Sequence, residues 1–511
     1  MTNLAEFPWL HGETAGDRVA VRCGGARWTY RELHERMATF GGAVRAAGVM
    51  PGDRVLLVAP SVPEFPAAYY GLLAAGAAVV AVNPMATVSE IDYVLRDAGC
   101  VLAAAWHSSA AATEAAASAL GIPFWSLQPQ RPATDAAPLA RPHATADEDT
   151  AVILYTSGTT GRPKGAELMH SNLIACAETF THVLRVTPDD RLGSALPLFH
   201  VFGGAVVMGT SMVNGASLSL LPRFDAGATL EMIKNDRLTM FFGVPTMYNA
   251  LLQQVDEPAD LSSVRLCASG GASLPEQVLR EFDERFGISI LEGYGLTETT
   301  GAATFNGLDR HRKAGAVGIP LPGIEVRVVD DQGQEMPVGD VGEVILRGPT
   351  VMKGYHDRPE ATADAIRDGW FHSGDLGTRD IDGDIRIVDR KKDLVIRGGY
   401  NVYPREVEEV LYQHPDVVEA AVVGIPDDHL GEEVAAAVAL RPGVALSPHE
   451  LRTWAEERLS AYKVPRRWAL MDELPKGATG KILKRAIDIE ELGRSDAART
   501  TATRSRGQPA P

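Results

Sequence analysis

Short apolar runs alternate with longer amphipathic stretches along most of the chain. Arg54 to Val58 is one such run, Pro63 to Ala75 repeats its apolar positions at helical spacing, and Ala78 to Val82 is a second run. That order predicts a βαβ unit, and parallel sheets are built from such units because a parallel partner needs a long crossover. The rhythm returns later. Val264 to Ala268 reads as a strand, Ser273-Leu-Pro-Glu276 as a capping box with proline in the first turn, and a helix follows to Phe286. Ile288 to Leu291 reads as the next strand, and Ala151 to Leu154 and Leu218 to Leu221 as others. The Ala-rich stretch from Ala103 to Leu120 predicts helix.

After Gly315 the texture changes. Runs such as Glu325–Val329 and Glu343–Arg347 are separated by Gly- and Pro-rich turns, which predicts a β-rich subdomain over about 315–389. A second boundary falls at Asp389-Arg-Lys-Lys-Asp393. Beyond it, Pro404 opens a helix with Val407, Val410 and Leu411 on one face. Val417–Ile425 and Val434–Leu440 read as strands and Pro448–Leu459 as a helix. From Arg494 to Pro511 no apolar periodicity remains. The expected fold is therefore α/β. It has a large N-terminal domain of βαβ-type layered sheets over 1–389, a small mobile α+β domain over 390–490, and a disordered tail over 491–511.

Composition narrows the function. Hydrophobic residues at 45% and charged residues at 23% exclude disorder throughout. Lys and Arg total 49 against 66 Asp and Glu, a formal charge of −17. Such a surface repels nucleic acid and anionic lipid as general partners, yet permits a local basic pocket for a phosphorylated small molecule. Cys23, Cys100, Cys176 and Cys267 are widely spaced, without a C-x-x-C pair, and are expected as reduced thiols. The first residues lack a signal-peptide pattern. Gly71 to Val82 is too short to span a bilayer. Pro197 to Leu221 carries no Lys, Arg, Asp or Glu, but its Pro, His, Asn and glycines mark a buried core segment. A cytoplasmic protein without a transmembrane segment is expected. Peripheral membrane contact stays open, as does the choice between monomer and homodimer.

The most informative segment is Tyr155-Thr-Ser-Gly-Thr-Thr-Gly-Arg-Pro-Lys-Gly165, which follows an apolar strand. Glycines let backbone N–H groups approach phosphate oxygens, hydroxyls add donors, and Lys164 adds positive charge. The Walker A spacing is absent. This segment resembles the signature loop of the adenylate-forming acyl-CoA synthetase superfamily. Pro197-Leu-Phe-His200, Gly293-Tyr-Gly-Leu-Thr-Glu298, Gly369-Trp-Phe-His-Ser-Gly-Asp375, Asp389-Arg-Lys-Lys-Asp393, Gly399-Tyr-Asn-Val-Tyr-Pro404 and Pro475-Lys-Gly-Ala-Thr-Gly-Lys481 follow in the family's order. Glu292-Gly-Tyr-Gly-Leu-Thr-Glu298 and Asn401-Val-Tyr-Pro-Arg-Glu look most like bacterial fatty-acid–CoA ligases.

The resemblance implies an ATP-dependent acid–CoA ligase using ATP, Mg2+ and CoA. Lys481 would bridge the carboxylate and the α-phosphate, and Thr297 would bond that phosphate. Glu298, with Thr156 beside it, would hold magnesium. Thr156, Ser157, Gly158, Thr159, Thr160, Gly161 and Lys164 would cradle phosphates. Tyr294 would lie against adenine, with Gly271, Ala272, Gly293 and Gly295 completing the nucleotide set. Asp375 and Arg390 would take the ribose, Lys392 would be the hinge, and Gly398, Gly399 and Arg223 would serve CoA. His200 resembles an aromatic gate beside the carboxylate, with a satisfied core histidine as the alternative. Phe202, Gly203, Phe241, Phe242, Val244 and Tyr248 are the candidate acyl pocket. No Arg or Lys lies between Pro197 and Leu221 or between Thr239 and Leu252. A second carboxylate would therefore be buried unpaired, which disfavours malonate or succinate. A medium- or long-chain fatty acid is expected. An aryl, cinnamate-like acid is the alternative, as is a carrier-protein or nitrogen acceptor in place of CoA. Ile396 stands where some members carry a lysine for a second, oxidative reaction, and so argues against that activity.

Overall fold

The computed structural model describes residues 3–129, 135–156, 162–254 and 260–488. The expected tail over 491–511 and the loop residues Ser157, Gly158, Thr159, Thr160 and Gly161 lie outside the described residues.

Arg54–Val58 and Ala78–Val82 are strands paired in parallel, and helix Glu64–Ala74 crosses between them. Both strands are covered on two faces, which is why they read as continuous apolar runs. They sit in a seven-stranded sheet that also holds Thr150–Thr156, Cys100–Trp106 and, at one edge, the antiparallel pair Lys164–Met169 and Gly354–Tyr355. A second sheet has nine strands. Its parallel centre runs Ile290–Tyr294, Leu266–Ser269, Met240–Gly243, Arg191–Ser194, Ser217–Leu220 and Val19–Cys23.

One continuous apolar core joins the two sheets through helices Tyr30–Ala46, Glu64–Ala74 and His170–Leu184. Smaller cores lie under the outer helices. Ile91, Val94 and Leu95 cover the seven-stranded sheet, and Leu251, Leu252, Val278 and Phe282 cover the other. The charge-free stretch from Pro197 is buried, as expected. It forms a π-helix over Phe202–Gly209, a short helix Thr210–Asn214 and strand Ser217–Leu220. No helix among the described residues is long and apolar enough to cross a membrane.

Two local expectations need correction. The Ala-rich stretch is α-helical only over Ala111–Leu120, after a 3₁₀ turn at His107–Ser109, because Cys100–Trp106 is a strand buried beside Arg54–Val58. Small residues fit a sheet covered on both faces, and that position overrides helix propensity. The capping box at Ser273 does not form. The helix begins at Glu276 with Pro275 as an N-cap that makes no side-chain bond. The N–H groups at this end are taken from outside. Leu274 donates to Glu292 Oε1 at 3.0 Å and Glu276 donates to Glu409 Oε2 at 3.4 Å.

Between the layered sheets and the C-terminal domain, Glu325–Val329, Gly342–Arg347, Trp370–Arg379 and Ile385–Arg390 form an antiparallel sheet. The C-terminal sheet holds Val395–Arg397, Tyr400–Val402, Val417–Asp427, Gly431–Leu440 and Arg467–Met471. Along Gly431–Leu440, Val434, Ala436 and Val438 enter one core while Ala435, Ala437 and Ala439 enter another. This two-residue period packs both faces of the sheet. The fold is α/β, with a large N-terminal domain and a smaller C-terminal one.

Candidate active site

In open α/β sheets, ligand sites form beyond the carboxyl ends of parallel strands. Strand Arg191–Ser194 leads to His200, Met240–Gly243 to Val244, Leu266–Ser269 to Gly271 and Ala272, and Ile290–Tyr294 to Glu298. The C-terminal domain and the antiparallel sheet close around this edge.

Asp375 and Arg390 are register partners on neighbouring antiparallel strands, which accounts for their meeting from distant motifs. Arg390 Nε stands 3.2 Å from Asp375 Oδ1, and Tyr294 Oη donates to Asp375 Oδ2 at 2.6 Å. The Asp375 N–H donates to Ser373 Oγ at 3.0 Å. Asp375 is 4% exposed, and burial pushes its carboxyl up while Arg390 and then Tyr294 oppose the rise. Tyr294 was expected against adenine; here its hydroxyl is committed to Asp375.

Glu298 lies in a single 3₁₀ turn, Thr297–Thr299, and is 9% exposed. Its Oε1 accepts from Tyr355 Oη at 2.9 Å and from Thr156 Oγ1 at 3.4 Å. Lys164 Nζ sits 5.1 Å from the centre of the Tyr355 ring. No group of three or more His, Cys, Asp or Glu able to hold a metal occurs among the described residues. A lone carboxylate with a hydroxyl beside it fits magnesium, which keeps water and phosphate oxygens as its other ligands. Tyr355 was missed in the sequence. It lies in an unremarkable Gly-Tyr pair, and only the pairing of Gly354–Tyr355 with Lys164–Met169 carries it here.

Lys481 arrives from the C-terminal domain. Thr246 Oγ1 donates to the Gly480 carbonyl at 2.8 Å, and Gly480 has φ +81°, which favours glycine. The Lys481 side chain stays accessible to water inside the cleft between the domains. Its surroundings, chiefly the low-dielectric walls and then Arg390, pull the ammonium down to about 8, and Asp375 opposes. His200 is half-buried; burial, then the Lys481 charge, pull it down to about 4, so it is neutral near pH 7. Its Nδ1 accepts from the Phe202 N–H at 3.2 Å. Lys484, one turn past Lys481, pairs with Glu408 at 2.6 Å and anchors the loop to helix Pro404–Tyr412. The sequence reading missed this pair because its partners are far apart in the chain.

The acyl-pocket expectation divides in two. Phe202 and Phe242 meet edge to face at 6.4 Å, and Val244 stands beside Gly271. Gly203 is buried in the π-helix. Phe241 and Tyr248 must be removed from that pocket. Phe241 follows the opposite pleat from Phe242, and it packs with Tyr248 and Phe282 in the outer core. Tyr248 Oη donates to the carbonyls of Ala268 and Phe241 at 2.7 and 3.2 Å. Gly398, Gly399 and Arg223 are exposed, and the two glycines lie in a surface turn of the C-terminal domain. Lys392 is also exposed, just past strand Ile385–Arg390.

A buried aspartate paired with Arg390 and Tyr294, a glutamate whose setting fits magnesium and a lysine from a second domain are the parts an adenylate-forming ligase needs. Comparison with known proteins agrees. Residues 9–356 match the AMP-binding enzyme family and residues 406–481 the AMP-binding enzyme C-terminal domain, and the chain belongs to this family. It is 39% identical over 485 residues to a feruloyl-CoA synthase of Amycolatopsis sp, covering 94% of this chain and 97% of that one. It is 36% identical over 516 residues to a long-chain-fatty-acid–CoA ligase of Bacillus subtilis (strain 168), covering 93% and 92%. Crystal structures of MatB from Rhodopseudomonas palustris, 34% identical, cover 97% of this chain and 99% of that one. They superpose with a TM-score of 0.89 in the ATP-bound form and 0.79 in the apo form. The chain is an AMP-forming acid–CoA ligase that uses ATP, Mg2+, CoA and a small carboxylic acid.

Proposed function

We propose that the preferred acid is an apolar monocarboxylate, a medium- or long-chain fatty acid. One observation carries this: the wall formed by His200, Phe202, Phe242 and Val244 holds no charged side chain, and its histidine is neutral. A second carboxylate would lie there without a partner, at a cost of several kcal/mol.

In the first half-reaction the acid's carboxylate oxygen attacks the α-phosphorus of ATP and pyrophosphate leaves. Both partners are anionic, so charge must be offset and the attack held in line. Lys481 supplies the offsetting ammonium, and Thr297 bonds the α-phosphate. Asp375 accepts from the ribose hydroxyls, with Arg390 beside it, and Tyr294 holds Asp375 in place. Thr156 to Gly161, with Lys164, take the outer phosphates, and Gly271, Ala272, Gly293 and Gly295 line the nucleotide. Glu298, with Thr156, would hold magnesium, which neutralises phosphate charge when bound. In the second half-reaction the CoA thiol, its proton released to water, bonds through sulfur to the acyl carbon, and AMP leaves with the pair from the broken acyl–oxygen bond. We assign that step to the Gly398–Gly399 turn, with Arg223 as a further CoA contact. It requires the C-terminal domain, divided from the rest at 389/390, to turn about Lys392.

A second reading is an aryl acid. The edge-to-face pair Phe202 and Phe242 offers a flat apolar wall, and a feruloyl-CoA synthase is among the relatives. One panel of acids decides, read by pyrophosphate release without CoA and AMP release with it. Fatty acids should exceed malonate and succinate in kcat/KM by about 100-fold. Ferulate or cinnamate as best substrate selects the second reading, and a dicarboxylate as best substrate rejects both. AMP release that depends on an amine or a carrier protein, and not on CoA, would reassign the acceptor.

A further inference from the structure

Helix Pro245–Gln254 carries apolar residues on the side that faces the outer core, where Tyr248, Leu251 and Leu252 pack near Phe282. Its other side presents Thr246, Asn249 and Gln253, at the i, i+3, i+7 spacing of one helical face. Each of the three bonds a different part of the C-terminal domain. Thr246 Oγ1 donates to the Gly480 carbonyl and Asn249 Nδ2 to the Val418 carbonyl, both at 2.8 Å. Gln253 Oε1 accepts from Arg441 Nη1 at 3.3 Å. Gly480 adjoins Lys481, Val418 opens one strand of the C-terminal sheet, and Arg441 follows the end of its neighbour.

Three separated contacts determine the orientation of a rigid body. The helix itself cannot turn, because its apolar side is locked into the large domain. Any rotation of the small domain about the 389–393 segment breaks all three bonds together. Glu409 adds a fourth link by accepting from the Glu276 N–H, which its own chain segment leaves uncapped. This arrangement is also the one closer to the ATP-bound relative than to its apo form.

We propose that the Thr246–Asn249–Gln253 stripe is the latch that holds the C-terminal domain in the adenylating arrangement, with Thr246 as a positioning residue for Lys481. A Cβ on Gly480 would stand 3.2 Å from both Thr246 Oγ1 and Val244 Cγ2, so the loop has little freedom beside that hydroxyl. The stripe serves the first half-reaction and is idle in the second. The inference rests on Lys481 as the adenylating lysine, and Lys481→Ala is therefore the control. If that variant adenylates normally, the underlying reading fails whatever the stripe does.

The test uses Thr246→Val, Asn249→Ala, their double variant and Thr246→Ser in the full chain. Acid-dependent ATP–pyrophosphate exchange reports adenylation, and thioester formation from supplied acyl-AMP reports transfer. Loss of one such hydrogen bond should lower the adenylation rate about 5- to 10-fold and the double variant about 30-fold or more. Transfer should stay at or above the wild-type rate, and Thr246→Ser should restore exchange to within about twofold. Asn249 is only half-buried, so Asn249→Ala carries the test if Thr246→Val fails to fold. Exchange within about twofold of wild type in the folded variants would overturn the latch. So would an equal fall of both half-reactions in variants with the wild-type melting transition.

Discussion

Lys481 meets its strongest opposition from its own site. Desolvation and the Arg390 guanidinium disfavour its charge, while Asp375 and, more weakly, Asp393 support it. The useful form is the ammonium, which is lost as pH rises through about 8. The kcat/KM for acid-dependent pyrophosphate release, which reports the free enzyme, should therefore fall about tenfold per unit above that pH. His200 titrates near 4 and adds no limb around neutrality. A profile that stays flat to about pH 10 would refute the role of Lys481 as a titrating ammonium. At this scale the sequence named candidate residues through their motifs. It missed the links between residues, such as Tyr294 with Asp375 and Tyr355 with Glu298, because each joins segments distant in the chain.

Among the elements, the π-helix Phe202–Gly209 has little room to vary. A Cβ on Gly204 would stand 2.5 Å from the Leu198 carbonyl oxygen, and the Gly204 N–H already donates to the His200 carbonyl at 2.8 Å. Backbone atoms cannot swing aside as side chains do. Gly204→Ala should cost about 1–3 kcal/mol of stability, read as a lower urea midpoint, and should disturb His200. An unchanged midpoint would mean that the segment relaxes more easily than its packing indicates. The charge-free composition announced a buried segment, but it did not announce a π-helix, whose wider turn depends on what packs around it. Likewise Phe241 and Phe242 were both acyl-pocket candidates in the sequence. Whether Phe241 or Phe242 faced the site depended on which pleat met which layer.

Across the whole molecule, the small domain is bonded to the large one at separated points. The Gly398–Gly399 turn lies on the surface of the small domain, flanked by the exposed side chains of Ile396 and Tyr400. Gly399 has φ +85° with open space around its missing Cβ, so a leucine there is opposed by backbone strain and not by a clash in this arrangement. Gly399→Leu should keep ATP–pyrophosphate exchange and lose acyl-CoA formation by about 100-fold, with its melting transition within a few degrees of wild type. Exchange and thioester formation falling together would tie the turn to adenylation and remove the case for rotation. Against a −17 formal charge, Arg390 and Lys481 come from separate segments to face the buried Asp375.

By itself the sequence determined the parallel strands with their crossover helices, the change to antiparallel texture after Gly315 and the short motifs that mark the family. These follow from period, turn residues and short motifs, all of which are local along the chain. Only the tertiary structure decided the rest. It made Asp375 and Arg390 register partners, capped the helix at Glu276 with a carboxylate from the other domain, and turned Phe241 and Tyr248 away from the site. It also set Thr246, Asn249 and Gln253 against three points of the C-terminal domain. The physical reason is common to all four. Each depends on which surfaces meet after the sheets and domains have packed, and no run of neighbouring residues encodes the partner that a side chain finds across such an interface.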